Sequence, residues 1–581
     1  MNDPCCFGRA RNWAWSGVLL LAACGGGSDP RAGTGTPTGS NLPPTTPPPA
    51  TPPTTPPPPT TPPAAPAPKA FLGDPLTRTE IKLAWEGVEG ATGYIVERKS
   101  GTGAFAVVAR LGGSARELTD MVPILDPAQL VEGRECSPDV PRFTYRISAV
   151  VNGQPGLAAE TRQGPYTARC VIKKGGVYSG NWESEDPEAG GLPIAAEWFT
   201  VNQLGQPPVV IENCFVKGRN VRTLISLPQV NNAVVRNCKG IGLDPTLFEK
   251  SRPFFVEATW AQNIIVENNE MENTRGLSFK DRNKRDEGYT PAWRNYRSLK
   301  VRFNRARNIN GLRSDGAGNP NAVEGTASFI AIHDFQEAVV EVSWNESVME
   351  PFLGRGDDLI TAIGSRGTAA NPIRIHNNFI DGQYTKDPSV FPSVGTGIMI
   401  GDADTAKLTP PHNPDLSPAY AWAYDNQLIR VHGGIAISSG NNSKIFRNRV
   451  VMSAILPDGK DFVGLHSGMM IWDYYGWEDH QAHSPTFYNN ELYDNLVSVW
   501  SPVSSSRSSV FCFRKSAFGF SKAPPGTDDC DPNTGWNNRA YNNGSVIPSL
   551  TQRPTRADED AEYVIWKEKL RSQGIRIGVI R

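Results

Sequence analysis

An asparagine that keeps returning behind a short apolar run constrains this chain more than any other feature. It closes Ile211-Glu212-Asn213-Cys214, Val235-Arg236-Asn237-Cys238, Val266-Glu267-Asn268-Asn269 and Ile375-His376-Asn377-Asn378, with weaker copies ending at Asn304, Asn345, Asn426, Asn448 and Asn489. Successive members lie 24, 31, 36, 41, 32, 49, 22 and 41 residues apart. A floor of 22 to 24 residues with longer, variable gaps above it describes a coil of constant path with loops inserted into some turns. Such self-similarity predicts a solenoid, and β-rich repeats make it an all-β parallel β-helix. Asparagines stacked along such a coil hydrogen-bond through their amides and accept the left-handed backbone of a tight turn. The column is therefore expected to be structural, with replacement of Asn268 or Asn377 harming folding more than activity.

The 581 residues exceed one compact domain, and the formal charge of −1 gives no electrostatic case for nucleic acid. Arg9 and Arg11 precede an apolar run from Trp13 to Ala23 that is short for a membrane-spanning helix. The run ends in Leu21-Ala22-Ala23-Cys24-Gly25, which resembles a bacterial lipobox. That resemblance implies a signal peptide over residues 1–23, lipid attachment at Cys24 and, with Gly25 rather than aspartate next, an outer-membrane lipoprotein on the cell surface or periplasmic face. Residues 24–69 form a Pro/Thr-rich stalk, which polyproline II at ~3.1 Å per residue stretches to perhaps ~100 Å.

Cys5 and Cys6 fall in the signal and Cys24 is the lipid site, leaving six cysteines in an exported chain. Cys512 and Cys530 flank a polar loop suited to bridging, and Cys136 pairs with Cys170 around the end of the first domain. Cys214 and Cys238 occupy equivalent repeat positions. Stacked strands ~4.8 Å apart leave either a bridge or two stacked thiols open there.

Residues 70–168 read as short alternating strands, among them Ile81-Lys82-Leu83-Ala84-Trp85, Tyr94-Ile95-Val96 and Phe143-Thr144-Tyr145. Trp85, Ala91-Thr92-Gly93-Tyr94 and the late Tyr145 resemble a fibronectin type III domain, which implies a β-sandwich with Trp85 and Tyr94 in its core. Residues 169–550 carry the coil. In residues 551–581, Thr555 with Asp558 three positions on predicts a helix start, and Ala561, Val564, Ile565 and Leu570 give it an apolar stripe. This helix and the tail after it are expected to pack on the coil, near its end or along its side.

A β-helix of this kind resembles the right-handed parallel β-helices of the pectate lyase, polygalacturonase and alginate-epimerase superfamily. Gly356-Asp357-Asp358-Leu359 is similar to the paired-aspartate segment of polygalacturonase-type hydrolases, with Asp334 one rung earlier and Asp402 in a later segment. The resemblance implies catalytic roles for Asp334, Asp357, Asp358 and Asp402. Hydrolysis needs one protonated carboxyl and one ionised one, and crowding of like charges raises one pKa. Thr396 stands where that family has histidine, and Lys444 is the nearest candidate for its basic clamp. The aspartates have a second reading, as turn residues capping backbone N–H groups. Elimination would instead use basic groups such as Arg275 and Lys280-Asp281-Arg282, with Ca2+ held by acids. No cofactor is required otherwise, and His480 and His483 show no third ligand for a zinc site. Trp472, Tyr474 and Trp477 form an aromatic loop suited to stacking on sugars or to covering the coil. The expected partner is a polysaccharide, hydrolysed, eliminated or epimerised by a surface-anchored protein. The alternative is a non-catalytic carbohydrate-binding or adhesive surface protein. Monomeric and trimeric assembly both stay open.

Overall fold

In the computed structural model the described residues are 64–124, 126–138, 140–184, 207–281, 298–390, 395–401, 417–465, 467–474, 484–502, 506–507, 509–512, 528–547 and 552–580. The expected signal peptide, Cys24 and nearly all of the expected stalk lie outside them.

Three long sheets run along residues 167–541. One has 11 strands, from Gly176–Tyr178 to Arg539–Tyr541; we call it the ladder sheet. A second has 12, from Thr167–Ala168 to Ser506–Arg507, and a third has eight, from Thr223–Pro228 to Ser467–Ile471. From Val209 to Ile471 each turn visits the ladder, second and third sheets in that order, and the described strands pair in parallel with their equivalents one turn on, except for the final antiparallel contact Trp500↔Arg507. This is the parallel β-helix that the repeats predict. Short Val- and Ile-rich segments of alternating burial, such as Val209–Glu212, turn one row of side chains into a continuous core and the other outward.

The corner between the ladder and second sheets is always two residues, for example 213–214 between Glu212 and Phe215. Its first residue is left-handed: φ is 52° at Asn213, 55° at Asn237, 52° at Asn268 and 52° at Asn377. Phe303, Trp344 and Arg447 take the same conformation, so the stacked rungs impose it even where asparagine is absent. The second residue points inward and forms the buried column Asn269, Asn304, Asn345, Asn378, Asn426, Asn448 and Asn495, which ends on the half-buried Asn543. At Asn345 the backbone N–H and the amide both donate to Asn378 Oδ1, at 3.1 and 2.9 Å, and the amide also reaches Val301 O at 2.9 Å.

The buried ladder thus sits one residue after Asn268 and Asn377, whose side chains face outward: Asn268 Nδ2 meets the carbonyl of Arg576, and Asn377 Nδ2 meets His376 Nδ1. Asn489 belongs to another column altogether. It is the left-handed residue of the corner entering the ladder sheet, where Ser443 N donates to Asn490 Oδ1 and Asn490 N to Asn538 Oδ1. The first rungs carry the Cys214–Cys238 disulfide at the ladder position, with Cα atoms 4.5 Å apart; Cys136–Cys170 and Cys512–Cys530 are also bridged.

Ahead of the coil, a three-stranded and a four-stranded antiparallel sheet enclose Ile81, Leu83, Trp85, Tyr94, Val96, Phe143, Tyr145 and Ile147. Tyr145 donates to Asp120 Oδ2 at 2.7 Å, which also meets Arg98 at 2.6 Å. Arg78–Glu183 (2.5 Å) and Lys217, which bonds the Leu76 carbonyl, tie these sheets to the first rungs.

Arg556–Ser572 is the C-terminal helix, started by the expected Thr555–Asp558 capping box. It lies along the side of the coil, on the second sheet. The face it buries matches the expected one only at Leu570: Ala561 is exposed, Val564 is 68% and Ile565 43% exposed, while Glu559, Glu562 and Trp566 are buried with Leu570. The surface beneath is part apolar and part cationic. Trp566 stacks on Phe379 and Trp344 and donates Nε1–H to Glu346, and Glu562 takes Arg449 at 2.6 Å. Beyond it, Gly578 N bonds the Phe303 carbonyl and Ile580 N the side chain of Asn237, tying the tail to the corner.

Candidate active site

The ladder corner never lengthens, so insertions gather at the other two corners, which border the third sheet. On one side lie residues 243–253, 308–329, 349–359 and 382–390; on the other, most residues between Lys280 and Ser298 and between Ile400 and Ala421 are outside the described ones. The outer face of the third sheet is therefore a floor bordered on one side by a set of long turns.

Strand register fixes what lies on that floor. Side chains of Ile330, Ile332, Ile360 and Ala362 enter the core, leaving Ser278, Ala331 and Thr361 in one outward row and Lys280, His333 and Ile363 in the next. Arg275 caps the near end, its guanidinium 4.2 Å over the Phe254 ring and its Nε–H on the Thr326 carbonyl. Burial lowers its pKa to about 10, with Glu257 acting in the opposite direction. Glu257 itself is gripped by Arg222 through both carboxylate oxygens. Burial, with Lys280 beside it, lowers the His333 pKa to about 4, so this imidazole is a neutral acceptor at neutral pH. The far end is apolar: Met399, Ala436 and Met470 cluster with Trp472 and Val510, and Trp472 meets Tyr474 edge-on at 4.8 Å.

Of the four aspartates, the three described ones, Asp334, Asp357 and Asp358, do not form a single cluster. Asp334 follows its strand and Asp357 and Asp358 precede theirs. Because Ile330 pairs with Ile360 and His333 with Ile363, a four-residue strand, roughly 13 Å, separates them. Asp334 is fully buried in a left-handed turn (φ 68°), its N–H on the Ile363 carbonyl. Asp358 accepts from Thr396 N at 2.5 Å and Thr396 Oγ1 at 3.0 Å, the capping role open to a turn carboxylate. Burial raises the Asp357 pKa, Arg355 opposing. Both carboxylates come within 3.0 Å of the same point beside Gly395, where a Cβ would clash. They approach from one wall, whereas inverting hydrolysis places its two carboxyls on opposite sides of a bond, ~6.5–9.5 Å apart. Asp402, Trp477, Arg282, His480 and His483 lie outside the described residues.

Lys444 is on the ladder sheet, a different face, paired with Glu491 at 2.6 Å. The adjacency of Lys280 and His333 could be found only through register, since 52 residues lie between them in sequence.

No family model matches the chain, and no curated protein matches it. Among solved structures it is similar to the family 28 exopolygalacturonase of Yersinia enterocolitica, at 10% identity, covering 84% of this chain and 100% of that one with a TM-score of 0.21.

Proposed function

We propose that this chain is a surface-anchored, carbohydrate-active protein that takes an acidic polysaccharide along the outer face of the third sheet and cleaves it by elimination. The reading is carried by one observation: Lys280 and the neutral His333 are adjacent at the ends of neighbouring strands of the floor, with no facing pair of carboxylates among the described residues. Lys280 pairs with a uronate carboxylate and acidifies the C–H beside it. His333 Nε2 or Nδ1 takes that proton while the glycosidic C–O bond breaks, leaving a C=C bond in the new non-reducing end and a hydroxyl, protonated by water, on the other fragment. No group of three or more His, Cys, Asp or Glu suited to a metal occurs among the described residues, so no step is routed through Ca2+. Cys24 would anchor the chain in the outer membrane, with the stalk and a fibronectin type III-like sandwich presenting the coil.

The test incubates the full chain in detergent with polygalacturonate, alginate and a neutral glucan, with and without Ca2+. Elimination predicts products absorbing as conjugated uronates, a rate that rises with pH through about 4 as His333 loses its proton, and a loss of tenfold or more in Lys280→Ala. Reducing ends without that absorbance would assign hydrolysis and return attention to Asp357 and Asp358. A second reading, non-catalytic binding, is favoured by the Met399–Met470–Trp472 platform, and binding without any product would establish it.

A further inference from the structure

We propose that the outer face of the ladder sheet, in its C-terminal half, is a second glycan-binding site that holds an acidic oligosaccharide. It lies on another sheet from the groove and does not require that groove to be catalytic. A cavity of about 400 Å³ opens there. Its floor is set by register: Trp422, Lys444, Glu491 and Arg539 are neighbours in one outward row of successive strands.

Three kinds of group meet in this cavity, and together they match the surface of a sugar. The first is a column of amides along one edge. Asn537 Nδ2 donates to Asn489 Oδ1 at 2.8 Å, Asn489 Nδ2 to Asn442 Oδ1 at 3.3 Å, and Asn442 Nδ2 to Asn441 Oδ1 at 2.6 Å. Each amide spends one N–H on its neighbour, which fixes its orientation, and carries a second N–H at intervals of roughly 4.8 Å along the coil. Hydroxyls on a sugar rim are the partners for such a row. The second is the half-buried ring of Trp422, with Lys444 Nζ 5.7 Å from its centroid, a plate for the C–H face of a pyranose. The third is charge. Lys444 and Arg539 both close on the single carboxylate of Glu491, leaving one positive charge in excess. That excess suits a chain bearing carboxylates. A protein partner would call for an apolar centre, which this amide-lined cavity lacks.

The five stacked rings of His376, Tyr424, Phe446, Tyr493 and Tyr541 run beside this row, with centroids 4.8–5.2 Å apart. They hold the outer face flat and rigid, so the site is formed before the ligand arrives.

The experiment titrates hexagalacturonate, hexamannuronate and cellohexaose into the full chain in detergent by calorimetry. Wild type is compared with Trp422→Ala, Asn537→Ala and the double groove variant Arg275→Ala/Lys280→Ala. The proposal expects an acidic hexasaccharide to bind the groove variant still, and to bind Trp422→Ala and Asn537→Ala at this second site at least tenfold more weakly. Asn537 is exposed, so its variant reads the site even if the tryptophan variant is unstable. Wild-type titrations in both ladder-face variants, preference for cellohexaose, or no acidic oligosaccharide binding to the groove variant would each overturn it. Loss of cleavage in the groove variant with this binding intact separates the two sites.

Discussion

Asn378→Ala is expected to destabilise the coil by about 3–5 kcal/mol, whereas Asn377→Ala next to it costs about 1–2 kcal/mol. The two side chains differ in what they leave behind. Asn378 is fully buried; its amide donates to Val342 O, His376 O and Asn426 Oδ1, and its oxygen accepts from the N–H and amide of Asn345. Alanine there strands two donors of Asn345 and the carbonyl of Val342 in a dry interior, where each unmade bond costs about 1–3 kcal/mol. Asn377 keeps its place through its backbone, at φ 52°, and its amide touches only the His376 ring. Replacing it strains a left-handed corner and exposes nothing buried. Unfolding rates in guanidinium check the pair: Asn378→Ala should unfold faster than Asn377→Ala by on the order of fiftyfold. Equal rates would mean that the buried amides do not hold the rungs.

This pair also shows what the sequence carries and what it hides. Asparagine suits a left-handed corner and a buried amide ladder equally well, and at 268–269 and 377–378 both positions are asparagine, so spacing alone leaves the register uncertain by one residue. Only stacked rungs tell them apart, by turning one side chain in and the other out. The same ambiguity misplaces Asn489, because a second corner of the coil uses the same chemistry.

The aspartates show a harder limit. Asp334 and Asp357 are 23 residues apart, close to one turn of the shortest repeats, which makes them look like neighbours on adjacent rungs. Residues 349–359 and the short turn after Asp334 shift their phase within the coil, so one lies after its strand and the other before it. A spacing equal to a rung implies adjacency only when both residues sit at the same point of the turn. The C-terminal helix was legible in its cap, which is local chemistry. Its buried face was not, because an apolar stripe assumes an apolar partner, and Glu559 and Glu562 here meet arginines and backbone donors across more than 100 residues of sequence.

Glu559 makes the attachment of that helix sensitive to pH, and protection of residues 556–572 should fall as pH rises from about 4.5 to 7. Its side chain is 1% exposed, and burial raises its pKa to about 7, opposed by the Ser453 N–H at 2.6 Å and by Arg430 at 3.6 Å. Arg430 is shared with Asp381 at 2.7 Å and Asp560 at 2.9 Å, so it neutralises Glu559 only in part. Burial also raises the Asp381 pKa, which acts in the same direction. Docked, Glu559 keeps its proton up to about 7; released into water, it loses it near the ordinary glutamate value of 4.5. Between these values the docked form binds more protons, so each increment of pH weakens it, and the loss is complete above about 7. The span corresponds to about 3 kcal/mol at most, or on the order of a hundredfold in the docking equilibrium. Hydrogen exchange at pH 5 and pH 8, corrected for intrinsic rates, reads it directly. Glu559→Gln removes the titration and should leave a much flatter profile, with the residual slope set by Asp381. Protection that rises with pH in the wild type, or an unchanged slope in Glu559→Gln, would show that this carboxyl is already ionised against Arg430 when docked and that the strap is held by Trp566 and Glu562 alone.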